Sequence, residues 1–173
     1  MWLKLIAVCL TLASSTMIGW HVAQNYIERP RQLGQLRAAL QLLETEISYA
    51  ATPLPKAMRR VAASQSGPVE LLFSQTASVL DARVGYSARE AWSMALQEFF
   101  QHSSLLVRDR EILEQFGQNL GSSDRSDQLK HLRLVMVRLE QEEQQGQLDE
   151  QRNVRLWRYA GFLVGLMVVI VLI

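Results

Sequence analysis

The sequence predicts an all-α protein: a bundle of about six helices, flanked by an N-terminal and a C-terminal transmembrane helix. Apolar runs lie at both ends of the chain, the stretch between them repeats its apolar residues at steps of three and four, and no segment alternates with period two. We therefore divide the chain into a transmembrane helix (1–22), a helical bundle domain (23–140), a polar helical stalk (141–155) and a second transmembrane helix (156–173).

The N-terminal apolar run extends from Trp2 to Val22 without an acidic residue. A helix crosses the hydrocarbon core with about 20 apolar residues, and tryptophans favour its two interfaces. The run therefore predicts a spanning helix. A cleaved signal peptide is the alternative, with Lys4 as its charged region and the small residues from Ala13 as its cleavage site.

The C-terminal apolar run begins at Leu156, with Arg158 placed to reach the lipid headgroups. It is long enough to cross a bilayer. Gly161 and Gly165 form a G-x-x-x-G motif that would let a partner helix approach closely, although glycine is also common in membrane helices that have no such partner.

The first three helices of the domain follow from leucine spacing and proline positions. "RQLGQLRAALQLLETEISYA" carries one apolar face: Leu33, Leu36, Leu40, Leu43 and Ile47. "TPLPK" ends this helix, and Thr52 is predicted to cap the second helix with Pro53 at its first position. The third helix is predicted to start at Pro68.

The last three helices follow from their end signals. "SAREAW" is a capping box, in which the Ser87 hydroxyl and the Glu90 carboxylate each bind the other residue's backbone N–H. The stripe behind it is Ala91, Trp92, Ala95 and Phe99, with Phe100 outside it. Gly121 is predicted to end the fifth helix in the left-handed conformation, and Ser122, Ser123 or Asp124 to cap the sixth.

Composition excludes several functional classes. The chain has 18 basic and 17 acidic residues, a net charge of +1, which argues against a nucleic-acid footprint. Its single cysteine, Cys9, permits no internal disulfide, and three scattered histidines give no metal-binding spacing. We find no motif for a catalytic residue, a cofactor, a metal or a small-molecule substrate.

One acidic cluster leaves an enzymatic alternative open. Asp109, Glu111 and Glu114 lie close together, with Asp124 and Asp127 one loop away, as acid–base or Mg²⁺ chemistry would require. Arginines are interleaved with them, however, which is typical of an exposed, salt-bridged helix end. We therefore predict no enzyme activity.

Basic residues near the spans predict a cytoplasmic domain. Arg29, Arg31 and Arg37 follow the first run, and Arg152 and Arg155 precede the second. On the other side of the two runs, the positive charges are only Lys4 and the α-amine. The positive-inside rule therefore predicts that the domain lies in the cytoplasm.

Several stretches resemble the stage III sporulation protein AB family of endospore-forming bacteria. They are "MIGW", "ERPRQL", "LQLLETEISYAATPLPKAM", "SAREAW" and "DREILEQFGQNLGSSDRSDQLKHL". The family is similar in turn to the F-type platform protein of type II secretion and type IV pilus machines, whose cytoplasmic module has comparable turns. This chain has Gln118 where the platform protein carries a glutamate.

The resemblance implies a component of the secretion-like channel between mother cell and forespore, in the mother-cell-derived outer forespore membrane. Its implied partners are a cytoplasmic secretion-type ATPase and other stage III sporulation membrane proteins. The alternative is a platform subunit of a secretion or pilus system outside sporulation. For partner contacts the helix ends are favoured, although the same residues would also serve simply to cap and solvate helices: Asp109, Arg110, Glu111, Gly121, Asp124 and Arg125.

Overall fold

A computed structural model describes residues 2–50, 52–82, 85–121 and 125–172, which contain six α-helices and no strand. The all-α prediction is confirmed. The helices are α1 (Trp2–Ser48), α2 (Leu54–Ala63), α3 (Pro68–Asp81), α4 (Ala88–Gln101), α5 (Val107–Gln118) and α6 (Arg125–Leu172).

The first and last helices are much longer than the domain helices predicted from leucine spacing. α1 has 47 residues and continues through Pro30, while α6 has 48 residues and continues through the polar segment 141–155. Proline inside a helix removes one backbone donor and normally breaks or bends it. Here the helix continues, and a Cβ built on Gly146 would lie 3.3 Å from the Pro30 Cβ. A glycine therefore leaves room for the proline ring.

The chain forms two compact units, and α1 and α6 contribute to both. One unit comprises Met1–Pro30 and Gln145–Ile173, and the other comprises Arg31–Gln144. We call them the terminal unit and the bundle unit.

The bundle unit is built on the leucine face that the sequence predicted. Leu33, Leu36, Leu40 and Leu43 are all fully buried. They share one core with residues from every other helix, including Met58, Phe73, Trp92, Leu113 and Leu139. The predicted stripe of α4 is buried as well, which confirms its orientation.

Trp92 is the largest side chain buried in this core. Its ring meets Phe73 and Phe116 edge to face, with centroid distances of 5.6 and 4.9 Å. Its Nε1 donates to the Leu113 carbonyl oxygen at 2.8 Å, which satisfies the buried indole donor. This bond and the Phe116 contact hold α5 against α4, and the Phe73 contact joins α4 to α3.

Four end signals decide where the middle helices begin and end. Ser87 and Glu90 form both halves of the predicted capping box, and Gly121 has the predicted positive φ, 77°. α3 begins at Pro68 as expected. The predicted cap of α2 is wrong by one residue, because Pro53 is the N-cap and the Thr52 hydroxyl donates instead to a Glu46 carboxylate oxygen at 2.7 Å.

One helix of the described part of the chain is long and apolar enough to cross a membrane. Within α6, the segment Ser126–Ile170 contains an 18-residue window with a mean hydropathy of 1.3, of which 11 % is buried. A core helix of a soluble protein would bury most of such a window. α6 is therefore a candidate membrane span by composition and by exposure.

Candidate interaction surface

Asp109, the first predicted contact residue, is fully buried at the start of α5. Its carboxylate oxygen accepts the backbone N–H of the N-cap residue Leu106 at 2.8 Å. This is one half of a capping box, because a leucine side chain has no acceptor for the reciprocal bond. The side chain of Asp109 thus satisfies a helix end inside the fold.

Arg110 lies next to this cap with its side chain 45 % exposed. Its Nε donates to Glu114 Oε1 at 2.7 Å, one turn further along α5. Its guanidinium carbon lies 5.4 Å from the centroid of the Phe100 ring. The ion pair and the cation–π contact fix the direction of the arginine, and they account for the aromatic residue that fell outside the stripe of α4.

Glu111 is exposed, and so are two apolar side chains that precede it. Leu106 is 46 % exposed and Val107 is 75 % exposed. We name the group Leu106, Val107, Arg110 and Glu111 the α5 start surface. Two exposed apolar residues bordered by opposite charges resemble the mixed composition of a protein–protein contact.

A second set of polar contacts joins the α5 start surface to α6. Arg108 Nε lies 2.8 Å from Glu142 Oε2, and further along α5 the Gln115 side chain accepts a hydrogen bond from Arg138. Each pair involves an exposed side chain and contributes little to stability by itself. Together the two pairs fix the register of α5 against α6, so that α6 supports the start of α5.

Gly121, from the second predicted contact region, does not lie at the same place. Gly121 is exposed and follows the opposite end of α5, a helix of 12 residues and therefore about 18 Å long. A Cβ built there would lie 3.0 Å from the Ala88 Cβ. Asp124 and the side chain of Arg125 lie outside the described residues.

The acidic cluster considered for catalysis is divided among separate roles. Asp109 caps a helix, Glu114 binds Arg110, and Glu111 faces solvent. Within the described ranges, no group of three or more His, Cys, Asp or Glu is arranged to hold a metal ion. A polar depression of about 190 Å³ lies between α4 and α5, lined by residues that include Arg89 and Glu114. Small-molecule sites usually have about 300–1,000 Å³.

Among the residues that the structure describes, two carboxylates have a pKa that clearly departs from its usual range, and both lie at helix ends. The Thr52 hydroxyl, and then Arg60, lower the pKa of Glu46. The Ser87 backbone N–H and then its hydroxyl lower the pKa of Glu90. Both pKa values fall because hydrogen bonds favour the ionised carboxylate. These hydrogen bonds are structural contacts at helix ends.

Sequence reasoning missed the burial of Asp109 and the exposure of Leu106 and Val107. An available signal was the placement of Asp109 three residues after Leu106, as a reciprocal cap requires. A second signal was the apolar pair Leu106 and Val107, which directly precedes the charged residues of α5.

The fold defines the chain as an all-helical protein with one candidate membrane-spanning helix. It belongs to the stage III sporulation protein AB family, whose sequence model matches residues 4–173. The chain is 39 % identical over 170 residues to stage III sporulation protein AB of Bacillus subtilis (strain 168), covering 98 % of this chain and 99 % of that protein.

A solved structure supports the same assignment. The solved structure of a stage III sporulation protein AB (SpoIIIAB) superimposes on this chain with a TM-score of 0.68, and the two sequences are 42 % identical. The match covers 72 % of this chain and 98 % of that one. The resemblance identified from the sequence is thereby confirmed, and it supports a role in sporulation.

Proposed function

We propose that the chain is a non-enzymatic, membrane-anchored adaptor of a secretion-like sporulation channel between mother cell and forespore. It couples a cytoplasmic secretion-type ATPase to ring-forming stage III membrane proteins. The adaptor role is inferred from the α5 start surface. There Leu106 and Val107 are exposed beside charged residues, on a helix that the Arg108–Glu142 pair joins to α6. Membership of the sporulation family supports the setting.

The proposal places both ends of the chain in the mother-cell-derived outer forespore membrane and the bundle unit in the mother-cell cytoplasm. The exposed apolar window of α6 supports one anchor. The apolar run at 1–22 supports the other. The arginines beside the two runs favour the cytoplasmic side for the bundle unit.

Charge reversal tests the α5 start surface. In the full chain, Arg110→Glu combined with Glu111→Arg inverts the charges beside the exposed apolar pair and leaves the net charge unchanged. Misplaced charges at a contact cost several kcal/mol, so we expect at least a roughly tenfold loss of ATPase recovery in a detergent pull-down, together with a sporulation defect.

Lys130→Glu is the matched control. Like Arg110, Lys130 belongs to an exposed pair within one helix, with Nζ 3.3 Å from Asp127 Oδ1. Its reversal removes a comparable surface pair and is expected to leave ATPase binding intact. Equal recovery of the ATPase by the double variant and by the control would refute the assignment of this surface.

Thiol labelling tests the sidedness. Ser66 is exposed in the turn between α2 and α3, so Ser66→Cys in a Cys9→Ser background offers one reactive thiol on the bundle unit. The variant is produced in non-sporulating cells, where the outer face of the plasma membrane corresponds to the intermembrane face, and we expect labelling by a membrane-permeant reagent only. Labelling by an impermeant reagent from outside these cells would refute the ATPase-adaptor role.

A further inference from the structure

The terminal unit contains a backbone contact between the two ends of the chain. A Cβ built on Gly19 would lie 2.6 Å from the Trp157 carbonyl oxygen and 2.9 Å from the Gly161 Cα. A Cβ built on Gly161 would in turn lie 3.0 Å from the Gly19 Cα. Any larger residue would push the helices apart, and glycine at such a crossing is how membrane helices approach closely.

The contact continues on both sides of this crossing. A Cβ built on Gly165 would lie 3.1 Å from the Ser15 Cβ. The Ser15 hydroxyl donates to the Gly161 carbonyl oxygen. Towards the other side, the Arg158 guanidinium lies 5.1 Å from the centroid of the Trp20 ring. Residue numbers rise along α1 while they fall along α6, so the two helices are antiparallel.

Most outward side chains of the two apolar segments are apolar, although Ser14 and Thr16 of α1 are exposed as well. Exposures reach 76 % at Met17 and 66 % at Ile18 on α1, and 68 % at Met167 and 70 % at Ile170 on α6. A soluble protein rarely exposes so much apolar surface in one region. A bilayer accepts that surface, and it also requires the buried hydroxyl to find the internal acceptor that Ser15 finds.

We propose that the N-terminal apolar segment is the partner of the G-x-x-x-G motif at Gly161 and Gly165 within the same chain. The two ends then form one antiparallel helix pair in the membrane. A signal peptide cleaved after Ala13 would keep Ser15 and Gly19 but would leave only Ser14–Val22 of the apolar run, which is too short to cross the bilayer. This inference rests on the membrane anchoring in the proposed function and is independent of the ATPase.

Disulfide cross-linking tests the pair in the full chain. Ser15→Cys and Gly165→Cys are introduced together in a Cys9→Ser background, with an epitope tag at each end and a protease site inserted after Ser66. The Cβ separation of 3.1 Å is a few tenths of an ångström below the usual disulfide range of about 3.5–4.5 Å, which a small helix shift supplies. After mild oxidation of membranes and proteolysis, we expect most chains to keep both tags on one band until reduction.

The control pair is Met17→Cys with Gly165→Cys, because Met17 is exposed and lies two positions from Ser15 on the same helix. In this control pair, we expect proteolysis to separate the two tagged fragments even before reduction. Equal joining in both pairs, or joining only between different chains, would overturn the proposal.

Retention of the N-terminal tag is measured separately on the chain without substitutions, so that poor accumulation of the cysteine variants does not hide the answer. Absence of that tag from the mature protein would also overturn the proposal. Loss of ATPase binding with the cross-link intact would refute the adaptor role alone.

Discussion

The substitution Gly117→Ala has two opposing effects on stability: it raises the helix propensity of α5, and it overpacks the core against Trp92. Gly117 lies inside α5, where alanine is intrinsically better than glycine by about 1 kcal/mol. A Cβ at this position would, however, lie 2.3 Å from Trp92 Cδ1 and 3.1 Å from its Nε1. An ordinary carbon contact is about 3.5–4.0 Å, so one of the two helices must move by about 1 Å.

The indole has little freedom to make that movement. Its Nε1 is bound to the Leu113 carbonyl oxygen at 2.8 Å, and its ring is held between Phe73 and Phe116. Overpacking of a well-filled core costs about 1–3 kcal/mol, and a contact this short belongs at the upper end. After the gain in helix propensity, we expect a net destabilisation of about 1–2 kcal/mol.

Urea unfolding of the full chain in detergent, followed by near-ultraviolet circular dichroism, measures this change in the packed aromatic residues. A loss of 1–2 kcal/mol lowers the midpoint by roughly 0.5–1 M at unchanged slope. Gly34→Ala is the matched control, because its Cβ would meet only the Glu143 carboxyl group, 2.9 Å from Oε1 and 3.3 Å from Cδ, and shifting the partly exposed ion pair of Glu143 with Arg37 costs little. It is expected to be neutral or mildly stabilising. A Gly117→Ala variant as stable as the wild type would refute the reasoning.

Two further predictions concern helix caps. Because hydrogen bonds from Ser87 lower the folded-state pKa of Glu90 below its ordinary value of 4.5, the carboxylate stabilises the fold fully above that value and loses this effect as pH falls through the lowered pKa. The stability difference between wild type and Glu90→Gln should therefore shrink on acidification below pH 4.5, and a constant difference in melting temperature would contradict this. Asp109→Ala leaves the Leu106 N–H without its carboxylate and should cost about 1–3 kcal/mol in urea unfolding. The neighbouring exposed Glu111→Ala should stay within about 0.5 kcal/mol, and equal effects would refute the capping role of Asp109.

Local chemistry made much of the bundle predictable. The Ser87 capping box, the start at Pro68 and the positive φ of Gly121 depend on a few adjacent residues, and all three are confirmed. The leucine face of α1 depends on spacing alone and was equally clear. The cap of α2 failed by one residue because the Thr52 hydroxyl is engaged by Glu46 in the preceding helix.

Contacts between distant residues were not predictable in the same way. Pro30 inside α1 packs beside a glycine 116 positions away, Gly146. Within the segment predicted to be a polar stalk, 141–155, Glu143 binds Arg37 Nε at 3.1 Å, a contact that the segment's own residues do not reveal. At the candidate surface, the exposure of Arg110 and Glu111 follows from their charge, whereas the burial of Asp109 required the backbone of the loop before α5.

The core of the bundle unit joins the leucines of α1 to Leu132, Val135 and Leu139 of α6, about a hundred residues later in the chain. During synthesis, the part of the α1 face that α6 covers must therefore wait until the sixth helix has left the ribosome. Closing so long a loop is entropically costly and slows folding, and the waiting apolar face is open to aggregation. Early capture of α1 by the membrane or by a chaperone would protect the nascent chain during this interval.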